Sequence, residues 1–229
     1  MAYTLPALAG LSGADGAPLL PALRPLLGIA DRTRSGRGFA LTFDDGPHRD
    51  GTPAVLAELD RAGVAATFFL VGEQVAQRQA LAREIVDAGH EVAVHGYRHS
   101  LLLRRSVREL AGDLDRAVAV IAEATGKAPA LYRPPYGVFS SGGLAHVRHR
   151  GWRPLLWSTW GRDWERRATA QSIARRATKG LRGGDVVLLH DSDAYSSEDS
   201  WRRTAAALPS VLEAVAALGV AASSVTHST

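Results

Sequence analysis

From about residue 38 the chain repeats one rhythm. A short apolar run is followed by a turn of Gly, Pro or charged residues, then by a longer stretch with apolar positions at helical spacing. The apolar runs cover residues 38–43, 66–71, 91–94, 130–132, 154–158, 185–189 and 220–225. Such short, bounded runs suit parallel strands buried on both faces. The helical stretches are residues 53–62, 73–88, 107–125, 169–181 and 200–218. Thr52 before Pro53 reads as an N-cap with Pro at the first helical position. Gly63, Gly89, Gly126 and Gly219 stand just past helix ends, where a left-handed residue closes the last turn. Pro209 predicts a kink or a split in the last helix. About seven β/α units in succession imply an α/β fold, with a parallel sheet and helices outside it. The length suits a closed, slightly short barrel, with an open doubly wound sheet as the alternative. Residues 1–36 precede the rhythm and read as an N-terminal appendage to a single domain at 37–229.

Composition narrows the partners. At 229 residues the chain suits one such domain, and 46% hydrophobic residues can supply its core. There is no Cys, which excludes disulfides and thiolate metal ligands without fixing the compartment. Lys plus Arg, 27, exceeds Asp plus Glu, 23, by four; the only lysines are Lys127 and Lys179. No dense basic run accompanies this mild excess, so no nucleic-acid partner is expected. No run of about 18 apolar residues exists, so no membrane span is expected. Residues 1–30 lack the basic start and unbroken apolar core of a secretion signal. The cytoplasm is the default expectation, with secretion if a leader precedes this sequence.

In folds of this class ligands gather at the C-terminal ends of the strands. Reading just past each run is therefore a test. Asp44, Asp45, Gly46, Pro47 and His48 follow the first run, and His95 and His99 the third. Arg133, Pro134, Pro135 and Tyr136 follow the fourth, Asp163 and Trp164 the fifth, His190 and Asp191 the sixth. Each group alone has a plain structural explanation, such as a turn or a hydrogen-bonded core histidine. Five falling on one face do not. Adjacent strand residues point to opposite faces, so Asp44 and Asp45 share a site only where the chain bends, as Gly46-Pro47 predicts. His95 and His99, four apart, lie on one side of a helical turn and suit chelation of one metal. Two imidazoles and a carboxylate, without sulfur, fit Zn²⁺, Co²⁺, Mn²⁺, Ni²⁺ or Fe²⁺, with positions left for water and substrate. The same set serves non-haem iron oxygenases, but a second carboxylate and His190 favour hydrolysis. Trp157, Trp160, Trp164, Tyr136, Tyr195 and Trp201 fall on or near this face, where flat rings stack on sugars or simply pack. The polar segment 191–200 reads as a substrate-facing or a solvated loop.

These residues resemble the polysaccharide deacetylase family, the NodB-homology or carbohydrate esterase family 4 domain, over about residues 38–225. Thr42-Phe-Asp-Asp-Gly-Pro47 matches the family's first motif, Arg133-Pro-Pro-Tyr136 its third and Leu188-Leu-His190 its fifth. His95-Gly-Tyr-Arg-His99 resembles the second, and Asp163-Trp164 the end of the fourth. The resemblance implies a distorted (β/α)7 barrel that removes N-acetyl groups from an N-acetylated sugar: a chitooligosaccharide, peptidoglycan or another glycan or conjugate. It implies a divalent metal, zinc first, on Asp45, His95 and His99. Asp44 would be the general base, oriented by Arg133, and His190 the general acid, tuned by Asp163. Tyr136 would offer its backbone N–H to the oxyanion, and Trp164 would line the substrate site. Two positions depart: Gly96 replaces the hydroxyl residue that usually braces the second motif, and Trp160 stands where the fourth often has Asp. Two further readings stay open, a deacylase or cyclic-amide hydrolase of a small metabolite, and a carbohydrate-binding protein whose site has decayed.

Overall fold

The computed structural model describes residues 24–34, 36, 38–101, 103, 105–218 and 222–225. Eight strands, all paired in parallel, form one sheet. They are β1 (Phe39–Asp44), β2 (Thr67–Leu70), β3 (Glu91–Val94), β4 (Leu131–Tyr132), β5 (Arg153–Pro154), β6 (Thr159–Trp160), β7 (Val186–His190) and β8 (Ala222–Ser223). Their order is β5-β4-β3-β2-β1-β7-β6, with β8 beside β1. The sheet curls without closing through strand pairing, so the molecule is the distorted (β/α)7-type barrel that the sequence predicts.

Seven helices pack outside: α1 (Gly51–Ala62), α2 (Gly72–Gln77), α3 (Gln79–Asp87), α4 (Val107–Thr125), α5 (Ser141–His149), α6 (Ala170–Thr178) and α7 (Ser200–Ala217). Strand alternation sorts the core into two. Phe39, Leu41 and Phe43 of β1 join the large cluster under the helices. Ala40 joins a smaller one with Phe69, Ala93, Leu131, Leu155 and Val186.

Several elements differ from the expected ones. Thr52 is not an N-cap: its hydroxyl accepts from the His48 N–H at 2.7 Å and donates to Asp191. His48 does that work instead, its Nδ1 accepting from the Gly51 N–H at 2.9 Å. The stretch 73–88 is two helices, broken at Arg78, whose φ of −140° leaves the helical region. The run 154–158 is not one strand; β5 ends at Pro154 and β6 begins at Thr159. Helix α5 was not expected, because glycines at 142 and 143 weaken its pattern. Pro209 lies on the exposed side of α7, and the helix runs through it unsplit. Gly63 and Gly126 do close their helices in the left-handed conformation, with φ of 63° and 71°. The cap expected at Gly219, the residue after it and residues 1–23 lie outside the described residues.

Residues before the first strand are stitched across the sheet's open side. The Ala30 N–H donates to Pro154 at 3.1 Å, and its carbonyl accepts from Leu156 at 2.7 Å. Thr33 donates to Gly184 at 2.8 Å, and Ile29 is buried in the main core.

Candidate active site

Strand β1 builds the centre. Its inward positions are Ala40, Thr42 and Asp44, and Asp44 is paired in register with His190 of β7. The next residue would point away if the strand continued. Asp45 instead has a φ of 80°, left-handed and costly for a residue with a Cβ. That turn brings the second carboxylate to the face of the first. Gly46 keeps the turn tight, since a Cβ there would lie 2.4 Å from a carboxylate oxygen of Asp191.

Three electron-pair donors converge on one point. Oδ1 of Asp45 is 3.4 Å from Nε2 of His95 and 3.3 Å from Nε2 of His99. That oxygen is buried and receives no hydrogen bond. His95 aims Nε2 inward because its Nδ1 lies 2.8 Å from the Arg133 carbonyl, which fixes the ring as a ligating imidazole is fixed. Burial pushes His99 down to about 4, against the pull of Asp45, so the ring is neutral at ordinary pH. Burial would raise Asp45, but His99, His95 and His190 outweigh it and hold the carboxylate well below its usual range. Two imidazoles and a buried carboxylate facing one point are the donor set of a divalent cation. Among the described residues Asp45, His95 and His99 are the cluster able to hold one.

The two histidines are not on a helical turn. Gly96 has a φ of 89°, and residues 95–100 form a loop. The loop's brace comes from α4: Asp113 accepts from the Tyr97 N–H at 2.8 Å and from Arg105 at 2.9 Å. From the other side α2 starts against it, Gly72 and Glu73 donating to the Gly96 and Tyr97 carbonyls at 2.9 Å each.

Asp44 and His190 flank the cluster. Asp44 turns Oδ1 to Arg133 at 2.6 Å and Oδ2 towards His95 at 3.8 Å. Arg133 is wholly buried, its guanidinium 3.9 Å from the Phe69 ring centre. It also donates to the Thr42 hydroxyl at 2.9 Å and to the Leu155 and Leu156 carbonyls at 3.2 and 3.0 Å. His190 sets Nδ1 2.8 Å from Oδ1 of Asp163 and Nε2 4.0 Å from Asp45. The other Asp163 oxygen accepts from the His190 N–H at 2.7 Å and from the Thr204 hydroxyl of α7 at 2.8 Å. Burial would depress His190, but Asp163 prevails and raises it to about 10. Its ring is thus cationic at neutral pH, with Nε2–H aimed at the cluster.

Aromatic rings frame the site. Tyr136, 41% exposed with φ 61°, sets its ring edge-on to His99 at 4.8 Å. Trp164 meets His190 edge-on at 5.4 Å. Trp201 is buried beside His48 and Gly51 and packs there. Sequence reasoning put Tyr195 on or near this face, as a ring that stacks on sugar or simply packs, without naming a partner for it. Its ring stacks on His99 at 4.3 Å, while its hydroxyl donates to Glu73 at 2.6 Å and accepts from Gln74 at 3.1 Å. Asp113, Thr204, Glu73 and Gln74 carried no local signal either, because each acts through a fold contact far away in sequence.

Comparison with known proteins decides the relationship. The Polysaccharide deacetylase family profile matches residues 31–154, more than half of the chain.

The chain belongs to the polysaccharide deacetylase family.

A relative in it, the chitooligosaccharide deacetylase of Bradyrhizobium sp. (strain ANU 289), is 38% identical over 68% of this chain and 71% of its own. The peptidoglycan-N-acetylglucosamine deacetylase PgdA of Listeria monocytogenes is 32% identical over 70% of this chain. That match spans only about a third of PgdA, 34%. Among solved structures, the family 4 carbohydrate esterase from Streptomyces lividans in complex with acetate superposes with a TM-score of 0.73. It is 32% identical, covering 81% of this chain and 91% of that one. The stretches that resemble the family's first, third and fifth motifs are the Asp44–Asp45 turn, Arg133–Tyr136 and the segment ending at His190. All three lie at the same mouth of the barrel.

Proposed function

We propose that the protein is a metal-dependent deacetylase that releases acetate from N-acetylglucosamine units of a glycan of the chitooligosaccharide or peptidoglycan type. One observation carries the reading: a carboxylate and a cationic imidazole lie on two sides of an Asp-His-His donor cluster, each aimed by its own buried partner. Asp45, His95 and His99 would hold a divalent ion, zinc first. When bound, the ion would supply Lewis acidity for the acetyl carbonyl and lower the pKa of water.

The chain's own residues do the rest. Asp44, its Oδ1 held by Arg133, has Oδ2 free to take the proton from the attacking water. His190 gives its Nε2 proton to the amide nitrogen as the C–N bond breaks, so the products are acetate and the free amine. Positioned acid–base groups of this kind typically contribute about 10²–10⁴ in rate. The main chain of Tyr136, turned in the left-handed conformation, offers an N–H for the developing oxyanion. Trp164, set beside His190, would line the sugar's position.

The test is acetate release from chitooligosaccharides and peptidoglycan fragments, before and after chelation and with Zn²⁺ or Co²⁺ restored. Release that is lost on chelation and recovered with metal is expected. His95→Ala should keep its circular dichroism and lose the metal; a folded His95→Ala protein with unchanged metal content would overturn the ligand set.

A further inference from the structure

We infer that Trp160 forms a stacking platform for a second pyranose ring, the sugar next to the one that loses its acetyl group. The inference builds on the deacetylase reading and names how much glycan the site engages. His190 is aimed at the nitrogen, which stays with the sugar, while the acetyl carbon lies over the Asp45, His95 and His99 cluster. The reacting sugar must therefore extend from His190 away from that cluster. Trp164 is the first ring on this side, 5.4 Å from the imidazole. Trp160 is the next, edge-on to Trp164 at 5.2 Å, with Trp157 5.7 Å behind it. Trp164 and Trp160 thus stand side by side next to His190, while Trp157 leads back to the buried Arg133, 5.6 Å from its guanidinium.

Trp160 ends β6, a strand paired only with β7, so it sits at the sheet's open side. It is 40% exposed, whereas Trp201 is 8% exposed in the same molecule. Among the described residues it is one of the few large apolar side chains left this exposed, and it stands beside the ring that touches His190. The Arg162 guanidinium lies over one side of the ring at 5.7 Å from its centre, held there by an ion pair to Glu165 at 2.7 Å, and the indole still keeps 40% of its surface exposed. Where related motifs often carry a charged Asp, this chain offers a flat apolar face. Such a face matches the C–H side of a pyranose, and the indole N–H at its edge can reach a hydroxyl.

The experiment compares kcat/KM for acetate release from the disaccharide and the pentasaccharide of N-acetylglucosamine in wild type, Trp160→Ala and Trp160→Tyr. In Trp160→Ala the advantage of the pentasaccharide over the disaccharide should fall about five- to tenfold, through KM rather than kcat. Trp160→Tyr, which keeps a ring, should retain most of it. An unchanged pentasaccharide-to-disaccharide ratio in Trp160→Ala would overturn the platform and leave the deacetylase reading standing. Calorimetric binding of the pentasaccharide to metal-free protein gives an independent reading, and Trp160→Ala should weaken it to the same degree. If wild type released no acetate yet bound the pentasaccharide through Trp160, the activity would fall and the platform would stand.

Discussion

At the scale of single residues, the division of labour between His190 and Asp163 gives the sharpest test of mechanism. An amide nitrogen leaves as a basic amine and needs a proton; an activated ester leaves as a stable phenolate and hardly does. His190→Ala should therefore lower kcat/KM for the amide by about 10²–10⁴ while sparing an activated acetate ester. Equal losses on both substrates would mean that His190 only packs. Asp163 would set the pH range of this proposed acid. The folded value of His190, about 10, lies above the ordinary 6.5, so the cation persists through neutral and mildly alkaline pH and is lost as pH rises through about 10. Asp163→Asn removes the main raising charge, so the ring should lose its proton at lower pH. The alkaline limb of the amide profile should move towards neutral in that variant. A limb that stays in place would show that His190 is not the titrating acid. The pairing also stabilises the fold, fully below the ordinary value and progressively less as pH climbs through about 10.

At the scale of elements, the loop carrying His95 and His99 shows what the sequence discloses and what it hides. That His95 and His99 meet was legible from residue type and spacing, but the helical turn inferred from that spacing was wrong. Gly96, φ 89°, is the reason: no right-handed turn passes through it. A Cβ there would also come within 3.2 Å of the Arg98 carbonyl. Gly96→Ser, which restores the usual hydroxyl residue, should thus cost about 1–3 kcal/mol of stability and weaken metal affinity. Asp113→Ala should weaken metal affinity with a smaller change in unfolding midpoint, because it frees the loop rather than straining it. Metal competition with a chelating dye measures both, and unchanged affinity in both would detach the loop's conformation from the metal site. The long strands and α4 were legible because their apolar periodicity is strong. The two-residue strands β4, β5 and β6 offer too little pattern to bound them. Asp113 and Tyr195 were invisible as supports, since their partners lie in other elements.

At the scale of the whole molecule, one side chain ties the site to the barrel. Among the described residues β5 and β6 do not pair, and residues 30–33 bridge that open side. Higher up, Arg133 reaches from the end of β4 to the Leu155 and Leu156 carbonyls and to Asp44 on β1. Lys has neither the planar fork nor enough donors to serve all of these at once. Arg133→Lys, which keeps the cation but not the fork, should lose about 1–3 kcal/mol in urea unfolding of metal-free protein, the usual cost of leaving buried carbonyls without a donor. A loss below about 1 kcal/mol would show that the guanidinium does not hold the barrel together. A guanidinium here stands in for a missing strand, offering its N–H groups to carbonyls that a neighbouring backbone would otherwise serve. Its one anionic partner is the carboxylate proposed to collect a proton in every catalytic cycle. On that reading a proton on Asp44 removes the charge from one arm of the clasp, while the arms to Thr42, Leu155 and Leu156 stay in place.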